Sequence, residues 1–133
     1  MGHFPAGASV QSFVHFAQII NSKNMQLYDW GSTSLNTEKY GRSTPPPVDL
    51  SKITEIPTAM FVGTADDLGD LTDSRWARDQ INSGGSALVF YEEVPAGHPS
   101  FMVGKNMTYV DTMIDLVNQY SSKSDESTPP TSQ

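Results

Sequence analysis

Two side chains stand where the sequence best supports chemistry. The run Pro57-Thr58-Ala59-Met60-Phe61-Val62-Gly63-Thr64-Ala65-Asp66-Asp67 passes from an apolar stretch into a glycine and two carboxylates. Such a run reads as a buried strand whose carboxyl end delivers an acid into a loop. Ligands of open α/β sheets gather at the carboxyl ends of strands, so Asp66 or Asp67 is a candidate functional acid. A second strand-like run, residues 87–91, leads through Glu92, Glu93, Val94 and Pro95 into Ala96-Gly97-His98-Pro99. Held between glycine and proline, His98 is either a working imidazole or an exposed loop histidine. A carboxylate and an imidazole on neighbouring strand tips form a proton relay. The acid fixes the imidazole tautomer, and the imidazole moves a nucleophile's proton. The serine that such a relay usually serves, in Gly-x-Ser-x-Gly, is not in this sequence. Gly7-Ala8-Ser9-Val10 and Gly31-Ser32-Thr33-Ser34 both lack the second glycine.

Other groups invite a chemical reading and mostly receive a structural one. Asp66, Asp67, Asp70 and Asp73 suggest calcium, but their spacing misses the alternating loop with its distal glutamate, so no metal is expected. Asp70 or Thr72 instead caps a helix over about 73–82, whose N-terminus favours the remaining negative charge. On that helix Trp76 and Ile81 make apolar contacts, while Arg75, Arg78 and Asp79 are solvated. His15 lies near the apolar stripe of an earlier helix and reads as a packing histidine. Asn106-Met107-Thr108 is a glycosylation sequon, meaningful if the chain enters the secretory pathway.

Three further elements must position these groups. Ser9 can cap a helix running to Asn21 or Ser22, with Val10, Phe13, Val14, Ala17 and Ile20 as its stripe and Phe16 and Ile19 broadening it. Residues 24–47 lack periodicity and read as a long irregular connection with aromatic pins at Tyr28, Trp30 and Tyr40. It ends in Pro45-Pro46-Pro47, a stiff connector, and Asp49 or Ser51 then caps a short turn. A last helix over about 107–120 offers Met107, Val110, Met113, Ile114 and Val117 as its buried stripe. Residues 121–133 carry almost nothing that could repay ordering and read as a disordered tail.

Composition narrows the function classes. A net charge of −7 argues against nucleic acid, whose phosphates need a basic surface. The hydrophobic fraction of 37% is low, consistent with a chain that does not bury its core alone. There is no cysteine, hence no disulfide and no cysteine-ligated metal. No apolar run is long enough to span a bilayer, and the start, Met1-Gly2-His3-Phe4-Pro5, does not read as a signal peptide.

The order helix, long loop, strand–Asp, helix, strand–His, helix is that of the closing third of an α/β-hydrolase. Gly2-His3-Phe4-Pro5-Ala6-Gly7-Ala8-Ser9-Val10, His15, Gln18, Tyr28-Asp29-Trp30-Gly31, Lys39-Tyr40-Gly41, Pro46, Asp49-Leu50 and Gly63-Thr64-Ala65-Asp66 together resemble the acid lipases. That family includes lysosomal acid lipases, gastric lipases and related sterol esterases. The resemblance runs from about residue 2 to 120. It implies the C-terminal part of an α/β-hydrolase fold, with two parallel strands, flanking helices and the end of the cap region. Residues 1–45 would then end the cap or lid, residues 46–120 would form the core segment, and residues 121–133 the tail. The resemblance also implies a Ser-His-Asp triad for lipid esters, triacylglycerols or sterol esters, with Asp66 as acid, His98 as base and no cofactor. Asp67 is the rival acid; Asp66 matches the family position and leaves the strand first. Gly97-His98-Pro99-Ser100-Phe101 departs from the family pattern on both sides of the histidine, and Ser100 replaces a frequent Asp. Nucleophile and oxyanion hole lie in the family's upstream part, so the chain alone is expected to be inactive. Its expected partners are a lipid ester, the remainder of the hydrolase domain and a lipid interface. The implied compartment is secretory or lysosomal. The rival reading is a non-catalytic lipid- or protein-binding module derived from such an enzyme.

Overall fold

The computed structural model describes residues 6–125, which fall into two compact units dividing between Asp49 and Leu50. The first holds α1 (Val10–Ser22) and α2 (Thr33–Tyr40). The second holds a 3-10 turn (Leu50–Lys52), β1 (Thr58–Gly63), α3 (Leu71–Gly84), β2 (Leu88–Val94), α4 (Ser100–Val103) and α5 (Tyr109–Asp125).

In the first unit Ser9 precedes α1 with extended backbone, but its side chain makes no capping bond; its carbonyl accepts from Ser12 and Phe13 instead. The helix ends where Lys23 turns left-handed, at φ 56°. Two side chains of α1 then hold the following segment. His15 Nε2 donates to the Gln26 carbonyl at 2.8 Å and stands edge-on to Tyr28, the packing role expected of it. Gln18 pairs reciprocally with the Asp29 backbone, at 2.7 and 2.9 Å. The apolar stripe of α1 exists but is uncovered: Val10 is 78% and Phe13 68% exposed.

The stretch read as irregular contains α2, a correction with a clear cause. The helix has little apolar periodicity; its limits are set by polar caps. Ser32 Oγ accepts from the Leu35 amide, and Gly41 closes the helix at φ 70°. Its one buried residue is Asn36. Asn36 Oδ1 accepts from the Trp30 amide at 3.0 Å, and its Nδ2 donates to Asp29 Oδ1 at 2.9 Å. Nearby, Trp30 Nε1 donates to the Tyr40 hydroxyl, which donates to the Tyr28 carbonyl. The prolines do more than connect, since Gln26 and Pro47 form an antiparallel bridge flanked by bonds from Leu27 to Pro46 and from Val48 to Met25. Asn36→Ala should cost about 1–3 kcal/mol, because it strands the half-buried Trp30 amide. Denaturant unfolding of variant and parent checks this; a loss within a few tenths of a kcal/mol would contradict it.

The second unit shows the expected α/β arrangement, two parallel strands with helices against them. Residues 59–62 are pleated and largely apolar, and α3 supplies the crossover that parallel pairing requires. Register runs Ala59↔Phe90, Met60↔Tyr91, Phe61↔Glu92, Val62↔Glu93 and Gly63↔Val94, with an irregularity at Thr58/Ala59. One sheet face carries Phe61, which packs on Phe90 and on Tyr109 at the start of α5. The other carries Tyr91 and Glu93 toward α3. Asp70 caps α3 by accepting from Thr72 and Asp73 amides. Val62, Ile81, Ala87, Ala96 and Tyr109 are buried. Gly84 is required where α3 meets the 3-10 turn, because a Cβ there would collide with the Ser51 backbone.

Two expectations need correction. Arg75 and Arg78 are not simply solvated. Arg75 grips Glu93 through Nε and Nη2, both at 2.7 Å, and Arg78 lies 4.8 Å from the centre of the Tyr91 ring. The inward row of α5 is also not the one expected: Met113, Ile114 and Val117 are 40%, 51% and 58% exposed. Tyr109 is buried instead, with Thr112, Leu116 and Tyr120 half-buried behind it at helical spacing. Of the expected stripe Met107 and Val110 are half-buried; apolar residues occupy more than one side of α5, so periodicity alone placed the rest of the inward row wrongly. The helix continues past Tyr120 to Asp125, into the segment read as a tail; residues 126–133 of that reading lie outside the described residues.

The Arg75 contact makes the pH response specific. Arg75's hydrogen bonds, against the opposing effect of burial and with help from the Tyr91 hydroxyl, lower the Glu93 carboxyl from 4.5 to about 2. A carboxylate lowered on folding stabilises fully above its unfolded value and loses that contribution as pH falls through the folded one. Thermal stability should therefore hold above about pH 4.5 and fall toward pH 2, and Glu93→Gln should flatten that fall. Melting curves across this window check it; parallel curves for both proteins would contradict it.

Candidate active site

Strand pairing does not stop where the strands do. The Thr64 amide donates to the Val94 carbonyl at 2.9 Å, and the Ala65 amide to the Ala96 carbonyl at 3.2 Å. The two loops therefore leave the sheet side by side, one carrying Asp66 and the other His98. Gly63 allows this closeness: a Cβ there would run into the Ala96 carbonyl oxygen, with Asp66 Cβ and Phe101 Cε2 each 3.1 Å away.

Asp66 and His98, separated by 32 positions in sequence, meet through Oδ2 and Nδ1 at 3.0 Å. The other carboxylate oxygen is held too: Oδ1 accepts from the amides of Leu68 at 2.9 Å and Gly69 at 2.7 Å. The Gly69 amide, with Leu68 and His98 behind it and burial opposing, holds the Asp66 carboxyl below its ordinary value. Asp66 thus stays ionised in moderately acidic solution; its contribution to the folded loop is lost only as pH falls below the usual carboxylate range.

An ionised carboxylate accepts and cannot donate, so the contact requires a proton on His98 Nδ1. In the neutral imidazole this leaves Nε2 with its lone pair free. The environments of the two partners match this division. The Asp66 side chain is 8% exposed, whereas that of His98 is 59% exposed. The inner residue orients and the outer one is accessible, an arrangement that can take a proton from a nucleophile. The exposed Asp67 is not the carboxylate that His98 meets.

The His98 loop is braced from behind. Ser100 Oγ accepts from the Gly97 amide at 3.2 Å, and the Ser100 amide returns a bond to the Gly97 carbonyl at 2.9 Å. The residue read as a departure from the family pattern thus closes the turn that presents the imidazole. The amides of Leu68 and Gly69 escaped the sequence reading; the glycine following the acid was the available signal. Large apolar side chains follow the pair in sequence: Leu68 after Asp66 is 69% exposed, and Met102 and Val103 on α4 after His98 are 83% and 79% exposed. Among the described residues no group of three His, Cys, Asp or Glu could hold a metal ion, and no helix is long and apolar enough to cross a membrane.

No protein-family model matches the chain. Curated relatives do match. Mouse lipase member K is 36% identical over 103 residues, which is 77% of this chain and 25% of the relative. Rat gastric triacylglycerol lipase is 38% identical over 96 residues, 72% of this chain and 23% of the relative. Human lysosomal acid lipase/cholesteryl ester hydrolase is 33% identical over 121 residues, 89% of this chain and 29% of the relative. The chain thus spans between about a quarter and a third of the length of these proteins.

Proposed function

The chain belongs to the acid lipase family, and on that premise we propose that it supplies the acid and the base of a Ser-His-Asp lipid ester hydrolase. His98 takes the proton of a seryl hydroxyl as that oxygen attacks the ester carbonyl, then returns one to the leaving alcohol. Asp66 keeps the imidazole in the working tautomer and stabilises the imidazolium. The observation that carries this reading is the 3.0 Å contact from Nδ1 to a buried, amide-held carboxylate, with the imidazole itself accessible.

The serine and the oxyanion amides come from the remainder of the hydrolase domain, because Gly-x-Ser-x-Gly is absent from this sequence. The substrates are lipid esters, triacylglycerols or sterol esters, as the names of the relatives suggest. Leu68, just after Asp66 in sequence, and Met102 and Val103, just after His98, are exposed apolar side chains suited to meeting acyl chains or a lipid interface. The working compartment is the lysosome or the outside of the cell.

The test is a chimera in which residues 2–120 replace the matching segment of human lysosomal acid lipase. It should hydrolyse a short-chain ester and take up a serine-directed fluorophosphonate. The 133-residue chain alone should do neither. A chimera that melts cooperatively, yet neither takes up the inhibitor nor turns over ester with His98 intact, would refute the assignment of the relay. Labelling and turnover by the isolated chain would refute its inactivity. The uncovered stripe of α1 keeps a second reading in view, a non-catalytic module that binds lipid or protein through that face. An active chimera excludes it.

A further inference from the structure

We propose that Asn106 is an acceptor for an N-linked glycan. This rests on the reading that the chain is exported, because the transferase acts only on chains entering the secretory pathway. Asn106-Met107-Thr108 has a residue other than proline in the middle and is the one such sequon in the chain. It lies in the short loop between α4 and α5, after Gly104 has ended the α4 turn. Asn106 and Thr108 are exposed, while Met107 between them is half-buried and ties the loop down. The Thr108 amide donates to Asn106 Oδ1 at 3.3 Å, a bond that occupies the oxygen of the side-chain amide. Its nitrogen, the atom that must react, belongs to an exposed residue. Immediately afterwards the buried Tyr109 anchors α5, donating its hydroxyl to the Phe101 carbonyl. The acceptor therefore stands in an exposed loop just ahead of the buried Tyr109.

The reaction needs a lipid-pyrophosphate-linked oligosaccharide as donor. A bond forms between Asn106 Nδ2 and the anomeric carbon, the bond from that carbon to the pyrophosphate oxygen breaks, and the amide nitrogen gives up one proton. The glycan would be rooted just past Met102 and Val103, the two most exposed apolar side chains among the described residues.

The full chain is expressed in a glycosylating eukaryotic cell behind a cleavable secretion leader, with a second sequon on a C-terminal tag to report entry. Two glycans removable by peptide N-glycosidase are expected. Asn106→Gln and Thr108→Ala should each leave only the tag glycan, and Thr108→Ser should keep both. A glycosylated tag with an unmodified Asn106 would overturn the proposal. The compartment is tested separately, by peptide mass spectrometry of the protein from its own source. An unmodified Asn106 there, with the site used under forced export, would sink the reading of export and not the acceptor.

Discussion

Asp66→Asn, placed in a chain that also carries the serine segment, is expected to lower kcat for ester hydrolysis by about 10⁴-fold and leave KM nearly unchanged. The amide oxygen of the variant can still accept from Leu68 and Gly69, so the loop keeps its shape. The oxygen now facing His98 becomes an NH2 group, which donates to Nδ1 and drives the ring proton onto Nε2. The imidazole then presents a proton where the serine needs a lone pair. Asp67→Asn is the matched control, since Asp67 is exposed and a carboxylate removed there leaves the Asp66–His98 contact intact. Its activity should remain within a few-fold of the parent. The reverse ranking, a mild loss at Asp66 and a severe one at Asp67, would overturn the assignment of the acid. Equal melting temperatures for all three proteins are the condition for reading the rates this way.

Gly63→Ala should be the most damaging single-methyl change in the second unit that also reaches the Asp66–His98 pair. A Cβ at this buried position has no outlet, with the Ala96 carbonyl ahead and Asp66 and Phe101 beside it. Backbone must move, and overpacking of this kind costs about 1–3 kcal/mol. In a unit of this size each kcal/mol lowers the melting temperature by roughly 4–8 °C. The displaced carbonyl belongs to the residue that ties the two loops together, so the Asp66–His98 contact should lengthen as well. Activity of the complete enzyme should fall even at temperatures where the variant is folded. Gly7→Ala is the control, because a Cβ there meets nothing within 4 Å. If the two alanine variants melted alike, the close approach at Gly63 would carry no energetic weight.

How much was legible in the sequence depended on which force shaped each element. The strands were readable because burial wrote apolar runs at residues 59–62 and 87–91, and turn residues bounded them. The cap of α3 was readable because Asp70 acts through its own neighbouring amides. By contrast, α2 was invisible to periodicity, being defined by Ser32, Gly41 and a buried amide at Asn36. The orientation of α5 was misread because its apolar residues exceed what one face can bury, and Thr112 on the inward row argued against that row. At the candidate site, residue types and order pointed to Asp66 and His98, whereas the Leu68 and Gly69 amides have no side-chain signature. The exposed stripe of α1 follows from the same limit: a sequence declares that a face is apolar without naming what meets it.

The hydrogen bonds that carry strand pairing beyond the sheet, through Thr64 and Ala65, have a genetic consequence. Asp66 and His98, the two members of the proposed relay, sit on one uninterrupted stretch and hold each other in place locally. Recombination or exon shuffling at the start of this stretch would move them together. The same property makes that boundary a natural seam for a split-protein sensor, silent until a separately encoded serine piece docks.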